Sequence, residues 1–182
     1  MLFAMKKVSK LQERQYVIAF IILLALLLAK FLYPLFIFDL PLGYDPGMYR
    51  YLFIKYAEVF PSLPELHPWA QEYPYGLFLI TGILMKLGVP VSWLLGWIWS
   101  VFAVGVLAAY SWVFAKREGW LTGILIMLVG LLSIAYFDGF AQMYWKTYLA
   151  LLFLLFTFHF FEKKSLWMIP FGALTILSHN QT

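Results

Sequence analysis

Tyr75–Gly88 reads YGLFLITGILMKLG, 14 residues of which one is charged. A transmembrane helix needs about 20 consecutive apolar residues, with a range of roughly 17 to 25. The stretch is therefore too short to span and falls in the range of interfacial or re-entrant segments. Its reading decides the fold, because a crossing here would reverse the side of the membrane for every residue that follows.

The chain around it is made for lipid. Of its 182 residues 64% are hydrophobic and 12% charged, and mean hydropathy is +0.83. A water-soluble domain of this size leaves much of its surface in solvent and could not hide so many apolar side chains. In a bilayer the backbone must satisfy its own polar groups, which calls for helices. A transmembrane barrel would show alternating strands, and the apolar runs here are continuous. With no cysteine in the chain, disulfides and thiolate metal sites are excluded. The first apolar run is too long for a cleaved signal peptide, lacks a small-residue cleavage site after it, and reads as a retained anchor.

The expectation is an all-α polytopic membrane protein with about five transmembrane helices. A cytoplasmic tail occupies 1–15. Spans occupy 16–38, 91–115, 120–137, 143–161 and 166–182, the last of them short in its apolar run. Basic residues arbitrate the direction, since cytoplasmic loops carry the excess of Lys and Arg. With Tyr75–Gly88 lying flat, Lys6, Lys7, Lys10, Arg14, Lys116, Arg117, Lys163 and Lys164 share the cytoplasmic side. Only Arg50, Lys55, Lys86 and Lys146 fall outside. A crossing would move two basic pairs outward and erase the bias. The flat reading puts Asp39, Asp45, Glu58, Glu65, Glu72, Asp138 and His179 on the outer face and leaves Glu13, Glu118 and Glu162 inside. The expected location is a prokaryotic cell membrane, with the N-terminus in the cytoplasm.

Residues 39–90 form the one long outer loop. Asp45-Pro46 reads as a helix start, with aspartate favoured at the N-cap and proline at the first helical position. Over 46–60, Tyr49, Leu52, Phe53, Tyr56 and Phe60 make a single apolar stripe at helical spacing, which predicts an interfacial helix with its aromatics among the headgroups. Pro61–Pro68, PSLPELHP, ends that helix. A second interfacial helix is expected over 75–88.

The order of these features resembles the amino-terminal module of the GT-C class of membrane glycosyltransferases, which includes oligosaccharyltransferases, protein O-mannosyltransferases and aminoarabinose transferases. GYDPGMYRY (residues 43–51) is similar to the first acidic motif of that class. AYFDGFAQMYWKTYLALLF (residues 135–153) is similar to the second outer loop and the span after it, and LSHNQT (residues 177–182) to the histidine-bearing end of a later span. The resemblance implies transfer of a sugar from a polyprenyl-phosphate donor to an acceptor on the extracytoplasmic face. It implies Asp45 as catalytic base or metal ligand and Asp138 as the second acid. It further implies a divalent cation, Mg or Mn, held by Asp45, Asp138 and Glu72, since hard cations prefer oxygen ligands. The second loop departs from oligosaccharyltransferases in carrying one acid, and Gly47-Met48 replace the aromatic after Asp-Pro. A complete enzyme of this class has more spans, so the chain resembles an incomplete amino-terminal portion, inactive by itself.

Other residues have two readings each. Asp45 is either a helix cap or a cap that also serves a site. Arg50 and Lys146 are interfacial anchors, or they grip the donor phosphate, a task the guanidinium fork suits. His179 ends a span or donates to that phosphate. Lys30, inside the first span, either snorkels to the outer headgroups or faces the bundle and pairs with an acid or a phosphate. His67 and His159 are read without chemistry, and Trp93, Trp97, Trp99, Trp120, Trp145 and Trp167 as an interfacial belt. No glycine-rich phosphate loop supports a nucleotide-sugar donor, and nucleic acid is not an expected partner. Two rival functions remain: a transporter or channel fragment coupled through Lys30, and a non-catalytic assembly protein.

Overall fold

The computed structural model describes residues 10–38, 45–71 and 73–179, and every regular element among them is helical. Asp39 and Glu72 lie outside the described residues. Helix α1 (Lys10–Ile37) is followed by α2 (Pro46–Val59), a 3-10 turn (Pro68–Ala70) and α3 (Tyr75–Lys86). A short α4 (Val91–Trp93) runs through a π turn (Leu94–Ile98) into α5 (Trp99–Glu118) as one continuous 28-residue helix. Then come α6 (Trp120–Leu132), α7 (Ile134–Ala141), α8 (Trp145–Glu162) and α9 (Met168–Ser178).

Two helices are long and apolar enough to cross a membrane, Leu11–Ile37 and Val91–Glu118, with a third if the bent pair α6–α7 counts as one span. The expected five are not reached among the described residues. The segment 120–137 breaks at Ser133, where the two helices meet at 60°. Ser133 is extended (φ −67, ψ 118) and its hydroxyl accepts the Tyr136 N–H at 3.0 Å, capping α7 anew. The last carbonyls of α6 are thereby freed, and Lys30 Nζ donates to that of Leu131 at 2.7 Å. Helix α8, 18 residues long, carries Lys146, His159 and Glu162 and is not one of the two. In place of a span over 166–182, α9 has 11 residues, about 16 Å at 1.5 Å per residue, roughly half the hydrocarbon core.

Helix α2 differs from expectation in what its stripe faces. Tyr49, Leu52, Phe53 and Tyr56 are buried inside the protein, against α3 and the aromatic cluster at the start of α8. Tyr56 stacks on Phe78 (5.0 Å between centroids) and Phe53 meets Trp145 edge-on at 6.2 Å. Helix α3 ends at Lys86 rather than at residue 88. Gly88 (φ +94) donates its N–H to Met85 and Val89 to Leu84, a Schellman closure that uses glycine for the left-handed turn. The tryptophan belt is also corrected in part. Trp93, Trp97 and Trp167 are exposed, but Trp99 and Trp145 are buried and stacked 4.6 Å apart. Trp99 needs no water, because its indole N–H donates to the Phe140 carbonyl at 3.0 Å.

Small residues set the remaining helix contacts. Gly123 of α6 lies against Ser111 and Ala115 of α5, so close that a Cβ there would sit 2.7 Å from the Ser111 carbonyl oxygen. The Ser111 hydroxyl donates to the Gly123 carbonyl. At the far end of the bundle, Arg117 and Glu162 join the ends of α5 and α8 at 2.5 Å.

Candidate functional site

The end of the bundle opposite that ion pair is built by two helix ends and one turn. The first is the start of α2. Asp45 takes the N-cap position and Pro46 follows, but the carboxylate makes no capping hydrogen bond. Pro46 supplies the helical φ and has no N–H to satisfy, while the Asp45 charge acts on Tyr49 and Tyr73. Burial pushes the Tyr49 phenol well above its ordinary pKa, and Asp45 adds to the shift. Tyr73 rises for the same two reasons in the same order. The half-buried carboxylate thus faces a pair of phenols.

The second is the turn that joins α7 to α8. Met143 (φ 57) donates its N–H to Phe140 and Tyr144 to Gly139, the same Schellman geometry as at Gly88 but with a methionine in the left-handed position. This turn fixes Tyr144 and starts α8 at Trp145, with Lys146 next. Asp138 therefore sits on a helix rather than in a loop. It is exposed, and its Oδ2 accepts the Gln142 side-chain N–H at 2.7 Å, one turn along the chain. The Tyr144 hydroxyl donates to the other end of the same amide.

Tyr144 also adds to the upward shift of Tyr49, after burial, Asp45 and Tyr73. Asp138, Gln142 and Tyr144 are joined by hydrogen bonds, and Tyr144 and Asp45 both act electrostatically on Tyr49. The two acids are separated by 93 positions in the chain (138 − 45). Lys146 Nζ lies 4.8 Å from the centroid of the Tyr73 ring.

The third part is the end of α9, held against α3 at Gly76, where a Cβ would sit 2.9 Å from the Leu177 carbonyl oxygen. The helix stops at His179, half-buried in the wall of a cavity of about 350 Å³ between α8 and α9, with Thr147 opposite. On the other side of Asp138, an apolar cavity of about 230 Å³ lies between the end of α1 and α7, lined by Tyr33, Pro34, Phe137 and Phe140 among others.

Of the residues singled out from sequence, Asp45, Asp138, Lys146 and His179 thus share one end of the bundle. Arg50 is on α2 but exposed, on the face away from the buried tyrosines. Lys30 belongs elsewhere: it bonds a backbone carbonyl at the helix break and lies 4.9 Å from the Phe137 ring centroid. Neither an acid nor a phosphate is needed to explain its position. Among the described residues no group of three His, Cys, Asp or Glu converges to hold a metal ion. The two carboxylates are engaged by an amide and faced by phenols, and Glu72 lies outside the described residues. Gln142, Tyr49, Tyr73 and Tyr144 had not been marked by the sequence reading. Tyrosine is common here, 12 in the chain, so only Gln142, four residues beyond Asp138, carried a readable signal.

Comparison of the chain with protein-family models, with curated proteins and with solved structures finds no match.

Proposed function

We propose that the chain is the amino-terminal module of a membrane glycosyltransferase that takes sugar from a polyprenyl-phosphate donor. The observation that supports the reading most is that Asp138, hydrogen-bonded through Gln142 to Tyr144, and Asp45 at the start of α2 both act on the group around Tyr49 at one end of the bundle. The sequence resemblance assigns both acids to one site. In this reading the acceptor hydroxyl oxygen attacks the anomeric carbon and the carbon–oxygen bond to the phosphate breaks. The acceptor proton passes to the Asp45 carboxylate, and the polyprenyl phosphate leaves with its charge held by Lys146 and His179. Arg50 is assigned to the same phosphate by resemblance, but its exposure makes it the weakest member of the set. Asp138, bonded to Gln142, positions the Tyr144 hydroxyl. The apolar cavity beside α7 offers room for part of the prenyl chain. The resemblance assigns a divalent cation to Asp45, Asp138 and Glu72, and no step here is routed through it. The pocket faces the extracytoplasmic side if the basic end of the bundle is cytoplasmic.

The test is transfer of sugar from a lipid-linked donor by membranes containing the protein. Asp45→Asn is expected to abolish transfer while expression and helical content are unchanged, and Asp138→Asn to reduce it strongly. Full transfer by Asp45→Asn would overturn the proposal. The transporter reading keeps one specific observation, the broken α6–α7 pair with Lys30 at the break. Broken helices do line transport sites. A flux assay in vesicles separates the two: ion or solute flux lost in Lys30→Met, with no sugar transfer by the wild type, would favour transport.

A further inference from the structure

The basic end of the bundle carries a second pocket that the glycosyltransferase reading does not use. It is a cavity of about 340 Å³ between the last turns of α5 and α8, bounded by Trp112, Lys116, Arg117, His159, Glu162 and Lys163. That volume lies in the range of small-molecule sites, roughly 300–1,000 Å³. Its charges are not balanced. Arg117 satisfies both nearby acids, bonding Glu118 at 3.0 Å and Glu162 at 2.5 Å. Lys116 and Lys163 are left without a carboxylate partner among the described residues. Lys116 is instead held over two indoles, with Nζ 4.7 Å from the Trp112 ring centroid and 5.3 Å from that of Trp120. This stacking fixes the ammonium at the rim and leaves its N–H donors free to take an acceptor.

The surroundings say what kind of anion would sit there. The pocket opens at the end of Val91–Glu118, one of the two helices able to cross a membrane, so its mouth lies at headgroup depth. Trp112, which lines the pocket, packs with Phe20 and Trp120 in an aromatic cluster, and outside the pocket the same last turns of α8 leave Phe158 and Phe161 59% and 63% exposed. A free phosphate would use the cations and leave those apolar side chains unused. A phospholipid would use both, its phosphate between Lys116 and Lys163 and its chains along the phenylalanines.

We propose that this pocket binds the headgroup of an anionic phospholipid. Basic pockets between membrane helices suit such headgroups, and each lysine or arginine near the surface strengthens their binding about fivefold. The proposal does not depend on the enzymatic reading, because it rests on the opposite end of the molecule and on none of the same side chains.

The test uses the full chain purified in detergent and titrated with phosphatidylglycerol or phosphatidylcholine, with bound lipid read by native mass spectrometry. Wild type is expected to prefer phosphatidylglycerol at least tenfold. Lys116→Gln with Lys163→Gln should weaken phosphatidylglycerol by roughly 25-fold and leave phosphatidylcholine unchanged, whereas Lys116→Arg with Lys163→Arg should keep the preference. Equal affinity of wild type for the two lipids would overturn the proposal. So would unchanged phosphatidylglycerol binding in the double glutamine variant, or displacement of that lipid by millimolar inorganic phosphate, which would mark a free-phosphate site. Should the glutamine variant fail to fold, the wild-type preference and the phosphate competition still decide the matter.

Discussion

Single side chains here do work that their type alone does not announce. Lys30 was open to two readings as a charge within a span, and its partner turned out to be the carbonyl of Leu131. Only the break in α6–α7 makes that carbonyl available, so no local pattern around Lys30 could have named it. Lys30→Met should leave a half-buried carbonyl unsatisfied and cost about 1–3 kcal/mol, seen as a lower Tm by circular dichroism in detergent. Tyr56 makes the opposite case. Its hydroxyl is buried with no hydrogen-bond partner among the described residues, so Tyr56→Phe should be neutral or stabilising at pH 7. Burial, with Tyr75 adding a smaller effect, pushes its pKa up to about 12. The folded value lies above the unfolded one of about 10. The stability contributed by the neutral phenol is therefore intact below pH 10 and is lost as pH rises through 12. Melting temperature followed from about pH 9 to pH 12 should fall less steeply for Tyr56→Phe than for wild type.

At the scale of elements, helix ends and close approaches explain most of what differs from the sequence reading. Three helices finish in Schellman turns, at Gly88, Met143 and Lys164. Only the first carries the glycine that makes such a turn visible in advance. Methionine at 143 hid the reversal that orients Tyr144 and Lys146, which is why Asp138 was assigned to a loop. Lys164 has φ 51 and is exposed, so Lys164→Gly removes the left-handed penalty with little packing to lose. A gain of about 1 kcal/mol is expected, read as a raised Tm. The α5–α6 contact runs the other way. Gly123→Ala would drive a methyl to 2.6 Å from the Ala115 Cβ and 2.7 Å from a backbone oxygen. Neither neighbour is a flexible side-chain tip, so the helices must part, at a cost of about 1–3 kcal/mol. Retention of the wild-type Tm in Gly123→Ala would contradict this packing.

For the molecule as a whole, the separation of its two ends is the feature on which function turns. Helix α8 carries Lys146 near its start and Glu162 at its end, some 24 Å apart at 1.5 Å per residue. Lys146, beside the two acids, and the basic pocket therefore lie at opposite ends of one bundle. Because the chain has no cysteine, sidedness can be measured cleanly with single introduced thiols. Glu65→Cys and Lys163→Cys are both at exposed positions. A membrane-impermeant maleimide applied to intact cells should label the first and not the second, and the pattern should invert in inside-out vesicles. Labelling of both from one side would remove the basis for an extracytoplasmic pocket.

The amino-acid sequence by itself determined that this chain is helical and apolar enough for a membrane. It also determined that α2 has one hydrophobic stripe and that acids and basic pairs fall in alternate connections. These are properties of composition and of short-range period, which a linear reading captures. Tertiary structure alone decided that the α2 stripe meets protein instead of headgroups, because a stripe does not specify its partner. It alone decided that 120–137 bends and that Trp99 and Trp145 are buried and stacked. Those outcomes depend on contacts between residues tens of positions apart, such as Lys30 with Leu131 and Trp99 with Phe140. Their energies do not exist until the helices have packed.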